Sequence, residues 1–383
     1  MANTNLANAK TAKNDEFYTQ YPDIQKEINA YLDYNPDVFR GKTVLLPCDD
    51  PEWSNFTKFF AQNFELLGLK KLISTSYAPE SKKYKVPWQP TLFETEQPYY
   101  DVDKSKTNGK IFVLERDITG DRRINIDDLE WQYLEGDGDF RSKEIRKLRD
   151  EADIIVTNPP FSLFREFMAW LMESGKQFVI VGNMNAITYR DIFPLLKDNK
   201  IWLGNGFQNG NAYFRIETPR NDYSEGVYDE STQLVKFRNC CWFTNIDHGR
   251  RHQPLRLMTM AENFKHSKHK EIREKKKYER YDNFDAIDVP YTDAIPIDYD
   301  KVMGVPISFM EKYCPEQFEI VWRGGDIDWC EKECDFYTPP TKERADYYKK
   351  QDKTWRIQNP YVLDENGNAI VVYQRILIRK KQS

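Results

Sequence analysis

The residue types best suited to chemistry form one tetrapeptide, Asn158-Pro159-Pro160-Phe161. It follows the β-branched run Asp153–Thr157, whose composition indicates a buried strand. Two prolines cannot continue a sheet ladder, and because they fix the backbone, the carbonyl groups beside them become rigid hydrogen-bond acceptors. Asn158 adds a side-chain carbonyl at the carboxyl end of the strand, which is where open α/β sheets bind their ligands.

This tetrapeptide suits a flat heterocycle that carries an NH2 group. The lone pair of an aromatic amine is delocalised into its ring, so the nitrogen is a poor nucleophile. If Asn158 and the Pro159 carbonyl accept its two N–H bonds while Phe161 stacks on the ring, the lone pair is drawn onto the nitrogen and aimed at an electrophile. The alternative is an ordinary Asn-Pro turn before a helix that is capped by Ser162.

Two acidic segments could hold a cofactor near the same edge. The first predicted strand ends at Asp49-Asp50, where the start of a helix opens beside it. That is a usual cofactor cradle, although no Gly-x-Gly is present. Asp139 and Phe140 precede the helix that leads into the strand Asp153–Thr157, and their carboxylate and ring could hold an adenine. The alternatives are a helix cap at Asp50 or Ser54 and a simple Gly-Asp turn at Asp139.

The elements that must position these residues alternate between strand and helix patterns from residue 15 to about residue 249. The strand patterns are "KTVLLPCD", "KKLISTSY", "DIIVT", "KQFVIVGN" and "KIWLGN", and the main helix patterns are "WSNFTKFFAQNFELLG", "SKEIRKLRDEA" and "SLFREFMAWLMES". This alternation predicts an α/β fold with a mainly parallel, twisted sheet and helices on both faces. A polar excursion over about residues 78–137 interrupts it, and "LVKFRNCCWFTNID" is expected to close it as one longer strand or a hairpin.

The charge of the chain is acidic overall but basic locally. The net charge is −5, and 31% of the residues are charged. Between Gly249 and Arg280, however, eleven Lys or Arg face four Glu. An acidic protein can grip phosphates with one basic segment of this kind, although a solvated charged helix is the alternative. The candidate phosphate contacts are Arg250, Arg251, Lys275, Lys276 and Lys277, extended to the basic end at Arg375, Arg379, Lys380 and Lys381.

In chain order, F-Y-T, an acidic strand end, D-F and N-P-P-F resemble the amino-methylating DNA methyltransferases of the gamma class. The segments "DEFYTQY", "CDDPEWSNF", "GDGDFRSKE", "ADIIVTNPPFSLFREF" and "VMGVPISF" look like the EcoRI DNA adenine methyltransferase family over nearly the whole chain. The resemblance implies a Rossmann-like methyltransferase fold, S-adenosylmethionine as cofactor, and an adenine flipped out of double-stranded DNA. N-P-P-F alone would also admit enzymes that methylate RNA or protein glutamine, and an inactive DNA-binding module is a further alternative.

The resemblance also implies roles for individual residues. Asn158, Pro159 and Phe161 would hold and stack the adenine, and Pro160 would fix the loop. The implied cofactor contacts are Phe17, Tyr18 and Thr19 at the methionine moiety, Asp49, Asp50 and Asn55 in the same pocket, and Asp139 and Phe140 at the cofactor's adenine.

The expected organisation has three parts. Residues 1–14 are predicted to form a flexible tail, residues 15–249 a catalytic domain, and residues 250–383 a basic target-recognition region. No apolar run reaches the roughly 20 residues of a membrane span, and the cysteine spacing predicts no metal site. We expect a monomer that is encoded by a bacterium or a phage and is associated with DNA in the cytoplasm. Any cognate restriction endonuclease is expected not to form a stable complex with it.

Overall fold

A computed structural model of the chain describes residues 18–49, 54–79, 92–95, 100–207, 211–215, 226–324, 332–351, 359–372 and 374–381. The predicted tail over residues 1–14, Phe17 and Asp50 lie outside the described residues. The chain divides into two compact units. The first holds the described residues up to Ala186 and Ile201–Gly249, and the second holds Ile187–Lys200 and the described residues from Arg250 onward. In the part of the chain described, no helix is long and apolar enough to cross a membrane.

The strands and helices are numbered in chain order. The strands are β1 Tyr18–Thr19, β2 Thr43–Leu46, β3 Lys71–Thr75, β4 Lys110–Leu114, β5 Glu130–Tyr133, β6 Ile154–Thr157, β7 Gln177–Asn183, β8 Trp202–Leu203, β9 Asn211–Arg215, β10 Tyr228–Asp229, β11 Leu234–Arg238, β12 Cys240–Thr244, β13 Ile287–Asp288, β14 Met303–Pro306, β15 Phe318–Arg323, β16 Tyr361–Leu363, β17 Ala369–Val371 and β18 Arg375–Lys380. The helices are α1 Tyr21–Tyr34, α2 Asn55–Gln62, α3 Phe64–Leu67, α4 Leu92–Thr95, α5 Lys104–Thr107, α6 Lys143–Glu151, α7 Phe164–Ser174, α8 Phe193–Lys197, α9 Met260–His266, α10 Lys270–Lys275 and α11 Lys342–Gln351.

The central sheet of the first unit has the strand order β5-β4-β3-β2-β6-β7-β12-β8. Strands β3, β2, β6 and β7 are mutually parallel, whereas the strands at both edges pair antiparallel. The predicted α/β class is confirmed, but the sheet is mixed and parallel only at its centre. At one edge, β4 and β5 come from the excursion over residues 78–137, where the strand-helix alternation lapses. At the other edge, β12 pairs antiparallel with both β7 and β8.

The two innermost strands, β2 and β6, are buried along their whole length, as expected of parallel strands that are covered on both faces. Beside them, α2 begins at the N-cap Ser54, whose hydroxyl accepts a hydrogen bond from Phe56 N at 3.1 Å. The predicted helix is interrupted at Asn63, and α3 ends at Gly68, whose φ of +64° is the left-handed geometry that favours glycine at a helix end.

A second, antiparallel sheet of the first unit has the order β1-β9-β11-β10. One face of its two central strands is formed by Ala212, Phe214, Val235 and Phe237, and each of these residues is almost wholly buried. The prediction of one longer strand or a hairpin over the residues of β11 and β12 is wrong. The chain turns at Asn239, which has a φ of +65°, and β12 then joins the central sheet instead of pairing with β11.

A buried carboxylate holds the start of the segment that leads from β8 into this second sheet. Glu27 of α1 accepts hydrogen bonds from the backbone N–H groups of Asn205 and Gly206 at 2.9 and 3.0 Å, and from the Tyr31 hydroxyl at 2.7 Å. A Cβ added at Gly204 would lie 2.0 Å from Glu27 Oε1, so the backbone approaches the carboxylate too closely for a side chain. Burial, and then the charge of Glu27, raise the pKa of Tyr31 well above its usual value.

The second unit contains the sheet β13-β14-β18-β15. Arg375, at the start of β18, pairs with Asp288 of β13 through Nε–Oδ1 and Nη2–Oδ2 distances of 2.7 and 3.3 Å. Both side chains are about nine-tenths buried. The Tyr281 hydroxyl donates to Asp288 at 2.6 Å. The suggestion that Arg375 contacts phosphates is therefore wrong, because its guanidinium group is a structural partner inside this unit.

Candidate functional site

The candidate site lies where the strand order of the central sheet reverses. After β2 the chain forms β3 on one side of it, and later β6 on the other side. Open α/β sheets bind ligands at the carboxyl ends of strands beside such a reversal. Asp49 follows β2 and Asn158 follows β6, so the structure brings these two predicted site residues to the same edge.

The carboxylate of Asp49 ties this edge together. Thr157 Oγ1 donates a hydrogen bond to Asp49 Oδ2 at 2.6 Å, and Ser54 Oγ donates to Asp49 Oδ1 at 2.9 Å. The backbone carbonyl of Asp49 accepts a further bond from Ser74 Oγ at 3.0 Å. Asp49 is only 6% exposed. Its carboxylate therefore holds the last residue of β6 and the N-cap of α2 at fixed positions, which is a role that the sequence did not suggest.

The tetrapeptide leaves the sheet directly after β6. Asn158 is half-buried with its Oδ1 atom buried, and Pro159 is buried. The Pro160 carbonyl accepts a hydrogen bond from Leu163 N at 2.9 Å within a 3-10 turn that leads into α7. Leu163, and not Ser162, is the N-cap of α7, and no side chain caps that helix. The alternative in which Ser162 caps the following helix is therefore wrong.

The ring of Phe161, the last residue of the tetrapeptide, contacts two aromatic residues of the second sheet. Its centroid is 6.3 Å from that of Phe214 in β9 and 6.5 Å from that of Phe237 in β11, and both ring pairs are nearly perpendicular. Sequence reasoning missed these two partners. The available signal was the alternation of buried and exposed residues in "NAYFR" and "LVKFR", which marks two strands with one apolar face.

Thr19 and Asn55 form the side of the site nearest α2. Asn55 Nδ2 donates a hydrogen bond to the Thr19 carbonyl at 2.8 Å. Thr19 Oγ1 is buried, and no hydrogen-bond partner for it lies among the described residues. Because a buried hydroxyl without a partner is costly, this atom suits a polar ligand group. Tyr18 does not share this position, because the register pairs Tyr18 with Arg215 on the other face of the sheet.

The loop that carries Asp139 crosses the carboxyl end of β3. Ala78 N donates to the Asp137 carbonyl at 2.7 Å. Gly138 has a φ of +82°, and a Cβ added there would lie 2.1 Å from the Ser76 carbonyl oxygen. The close crossing thus requires glycine, and it brings Asp139 to the same edge of the sheet as Asp49.

The side chains of Asp139 and Phe140 are already engaged within the protein. Arg141 donates to both carboxylate oxygens of Asp139, from Nε at 2.9 Å and from Nη2 at 2.7 Å. Burial acts to raise the pKa of Asp139, but the bonds from Arg141 outweigh it and hold the pKa below its usual value. Phe140 is buried, with its centroid 5.1 Å from Phe167 and 5.8 Å from Trp170.

The predicted phosphate contacts belong to the second unit. Arg250 and Arg251 lie in the 3-10 turn Gly249–His252. Arg251 Nη2 donates to Asn199 Oδ1 at 3.0 Å. These two arginines are half-buried, so each keeps part of its surface toward solvent.

The three consecutive lysines lie at the end of α10. Lys275 pairs with Glu271 at 3.0 Å and with Glu279 at 3.8 Å, and Lys277 pairs with Glu279 at 3.2 Å. The hydrogen bond to Glu271 raises the pKa of Lys275. Lys276 has a φ of +47° and ends the helix. Exposed pairs of this kind contribute at most about 1 kcal/mol each.

No group of three or more His, Cys, Asp or Glu residues that could hold a metal ion occurs within the described ranges. The donor atoms gathered at the sheet edge are hydroxyls, amides and hydrogen-bonded carboxylates. Their arrangement suits an organic ligand that is held by hydrogen bonds.

Comparison with known proteins gives consistent matches along the chain. A profile of the family described as adenine-specific methyltransferase EcoRI matches residues 5–381. The chain is 40% identical to the type II methyltransferase M.EcoRI of Escherichia coli over 318 residues, which are 82% of this chain and 88% of that protein. It is 34% identical to the type II methyltransferase M.MpnI of Mycoplasma pneumoniae over 319 residues, which are 82% of this chain and 83% of that protein. No solved structure matches significantly.

Proposed function

Because this chain belongs to the EcoRI family of adenine-specific methyltransferases, we propose that its first unit transfers a methyl group from S-adenosylmethionine to the N6 amino group of an adenine flipped out of duplex DNA. The observation that carries the proposal is the position of Asn158, directly after β6 at the edge where the strand order reverses. The parallel centre of the sheet supports a Rossmann-like methyltransferase fold for this unit.

The tetrapeptide would act by orientation and hydrogen bonding. Asn158 Oδ1 and the Pro159 carbonyl accept the two N–H bonds of the adenine amino group, and this draws its lone pair onto the nitrogen. No strong base is required, because the amine becomes acidic only after it is alkylated. Phe161 fixes the plane of the purine, and the aromatic rings of Phe214 and Phe237 hold Phe161 in place. Such fixed acceptors lower the barrier because they need no reorganisation as charge develops.

The cofactor would be held by residues at the carboxyl ends of β2 and β3. S-adenosylmethionine supplies an electrophilic methyl group on a sulfonium centre. Thr19 Oγ1 and Asn55 suit its polar methionine end, since Thr19 Oγ1 is buried and unsatisfied among the described residues. Asp139 would accept from the cofactor through Oδ2, which takes one bond from Arg141 Nη2 and has a second lone pair. Phe17 and Asp50, proposed for the same pocket, lie outside the described residues.

The experiment that tests this function is sequencing of modified bases in DNA from cells that express the chain and have no other adenine methylation. The expected result is N6-methyladenine in one defined sequence context. Cells that express the Asn158→Ala variant at equal level give the baseline. Unmodified adenine throughout, in the presence of folded protein, would overturn the proposal.

The second unit is proposed to recognise the target sequence. Replacing Lys275, Lys276 and Lys277 together by glutamine is expected to weaken duplex binding and to reduce the slope of log affinity against log salt by up to about 2.7, at roughly 0.9 per lost phosphate contact. Titration of labelled duplex DNA at several salt concentrations measures both quantities. The matched control replaces the exposed lysines Lys312, Lys349 and Lys350 of the same unit. An equal effect of both triple variants would mean that the lysines act only through net charge.

The oligomeric state, the cellular location and the protein partner are also proposed. The chain would act as a monomer on double-stranded DNA in the cytoplasm. The type II names of its relatives are consistent with a partner restriction endonuclease that shares the recognition sequence without forming a stable complex.

A further inference from the structure

One face of the second sheet of the first unit is turned away from the hydrophobic core. The register places Lys236 opposite Tyr213, Arg238 opposite Asn211 and Leu234 opposite Arg215, so these residues share a face. Arg215 and Arg238 are exposed, Lys236 is half-buried, and Tyr213 is 39% exposed. We call this group, with Tyr18 of β1, the outer face of the second sheet.

The outer face is basic, although the chain as a whole is acidic. Three cations, Arg215, Lys236 and Arg238, lie on the outer face within two adjacent strands. Among the residues of the described strands of this sheet, Asp229 of β10 is the acidic residue on the same face. The ammonium group of Lys236 lies 5.9 Å from the centroid of the Tyr213 ring. Cations interleaved with an exposed aromatic ring are typical of surfaces that follow a phosphodiester backbone.

The opposite face of the same two strands contacts the proposed catalytic ring. Phe214 and Phe237 alternate with the outer-face residues along β9 and β11, and both pack against Phe161. The outer face is therefore separated from Phe161 by a single sheet, on the order of 10 Å, the spacing of packed layers.

We propose that the outer face of the second sheet is a DNA-backbone contact surface, in which Arg215, Lys236 and Arg238 bind phosphates that flank the flipped nucleotide. The proposal rests on the proposed function, because the partner is the substrate DNA. It adds a surface in the first unit to the basic segment of the second.

The test uses the full chain with Arg215→Gln and Arg238→Gln combined, since both side chains are exposed and their loss leaves the core intact. The dissociation constant of an unmodified duplex that carries the recognition sequence is expected to rise at least about 10-fold near 0.1 M salt. The slope of log affinity against log salt is expected to fall by about 2. The rate at saturating DNA is expected to stay within about threefold of that of the parent chain.

A matched control replaces Lys70 and Lys147, two exposed lysines elsewhere in the first unit, by glutamine. The control is expected to keep the affinity and salt slope of the parent. If the outer-face variant also keeps both while it methylates DNA normally, the inference is wrong and the proposed function stands. If the parent chain methylates no DNA, the proposed function is wrong, and the inference that rests on it is wrong as well.

Discussion

Replacing Asn158 by alanine is expected to lower the rate of adenine methylation by at least about 10²-fold, the scale seen when one preorganised hydrogen-bond partner is removed from an active site. Asn158 follows β6, and the alanine side chain has no carbonyl to replace the buried Oδ1 atom as an acceptor for the adenine amino group. Single-turnover transfer of labelled methyl groups to a defined duplex measures this loss without interference from product release.

Binding measurements separate this loss from misfolding. The Asn158→Ala variant is expected to bind duplex DNA and cofactor within about threefold of the parent, because the substitution leaves the proposed cofactor contacts at Thr19 and Asn55 and the basic DNA contacts unchanged. Asn29→Ala, an exposed amide on α1, is the matched control and is expected to keep full activity. A normal single-turnover rate in the Asn158 variant would refute the assigned role.

Replacing Thr157 by valine is the second change with a large expected effect. It removes the donor that holds Asp49 Oδ2 at 2.6 Å while it keeps the shape of the side chain. A hydrogen bond to a charged group contributes about 1.5–3 kcal/mol, and a shift of about 1 Å at a reacting group can cost about 10²-fold in rate. The rate of methyl transfer is therefore expected to fall by up to about 10²-fold, with the affinity for DNA little changed.

Two further variants show whether the bond to Asp49 is responsible. Thr157→Ser restores the hydroxyl and is expected to recover most of the rate. Thr57→Val removes a different buried hydroxyl bond of the same core, the one to Ser74 at 2.8 Å, and does not touch the Asp49 carboxylate. It is expected to leave the rate within about threefold. Equal losses in the two valine variants would indicate a general effect on stability.

The sequence predicts the local geometry around the tetrapeptide well, because proline and β-branching act over a few residues. A strand over Asp153–Thr157 that stops at Asn158 needs no knowledge of distant segments, and the observed β6 ends at Thr157. The shared edge of Asp49 and Asn158 also follows from the alternation, since parallel strands place their carboxyl ends together.

The parts that could not be predicted depend on pairings between distant residues. Phe161 meets Phe214 and Phe237 only because β9 and β11 form a separate sheet, and neither strand pattern indicates which partner it covers. Arg375 lies in a basic terminal segment that reads as surface, but its acidic partner Asp288 lies far away in the sequence. Burial of a charged group is decided by such a partner, which composition does not reveal.

The pairing of β1 with β9 bears on how the protein is made. β9 is synthesised after every parallel strand of the central sheet, yet β1 near the amino end has β9 as its neighbour. Contacts between residues so far apart in the chain close slowly, because the entropy of the intervening loop must be overcome first. During translation, Thr19 can reach its place beside Asn55 early, but the sheet that presses on Phe161 forms only when β9 and β11 have left the ribosome. The nascent chain thus completes the four parallel strands of the central sheet before the strands that contact Phe161 have been made, and a product truncated before β9 is expected not to methylate DNA.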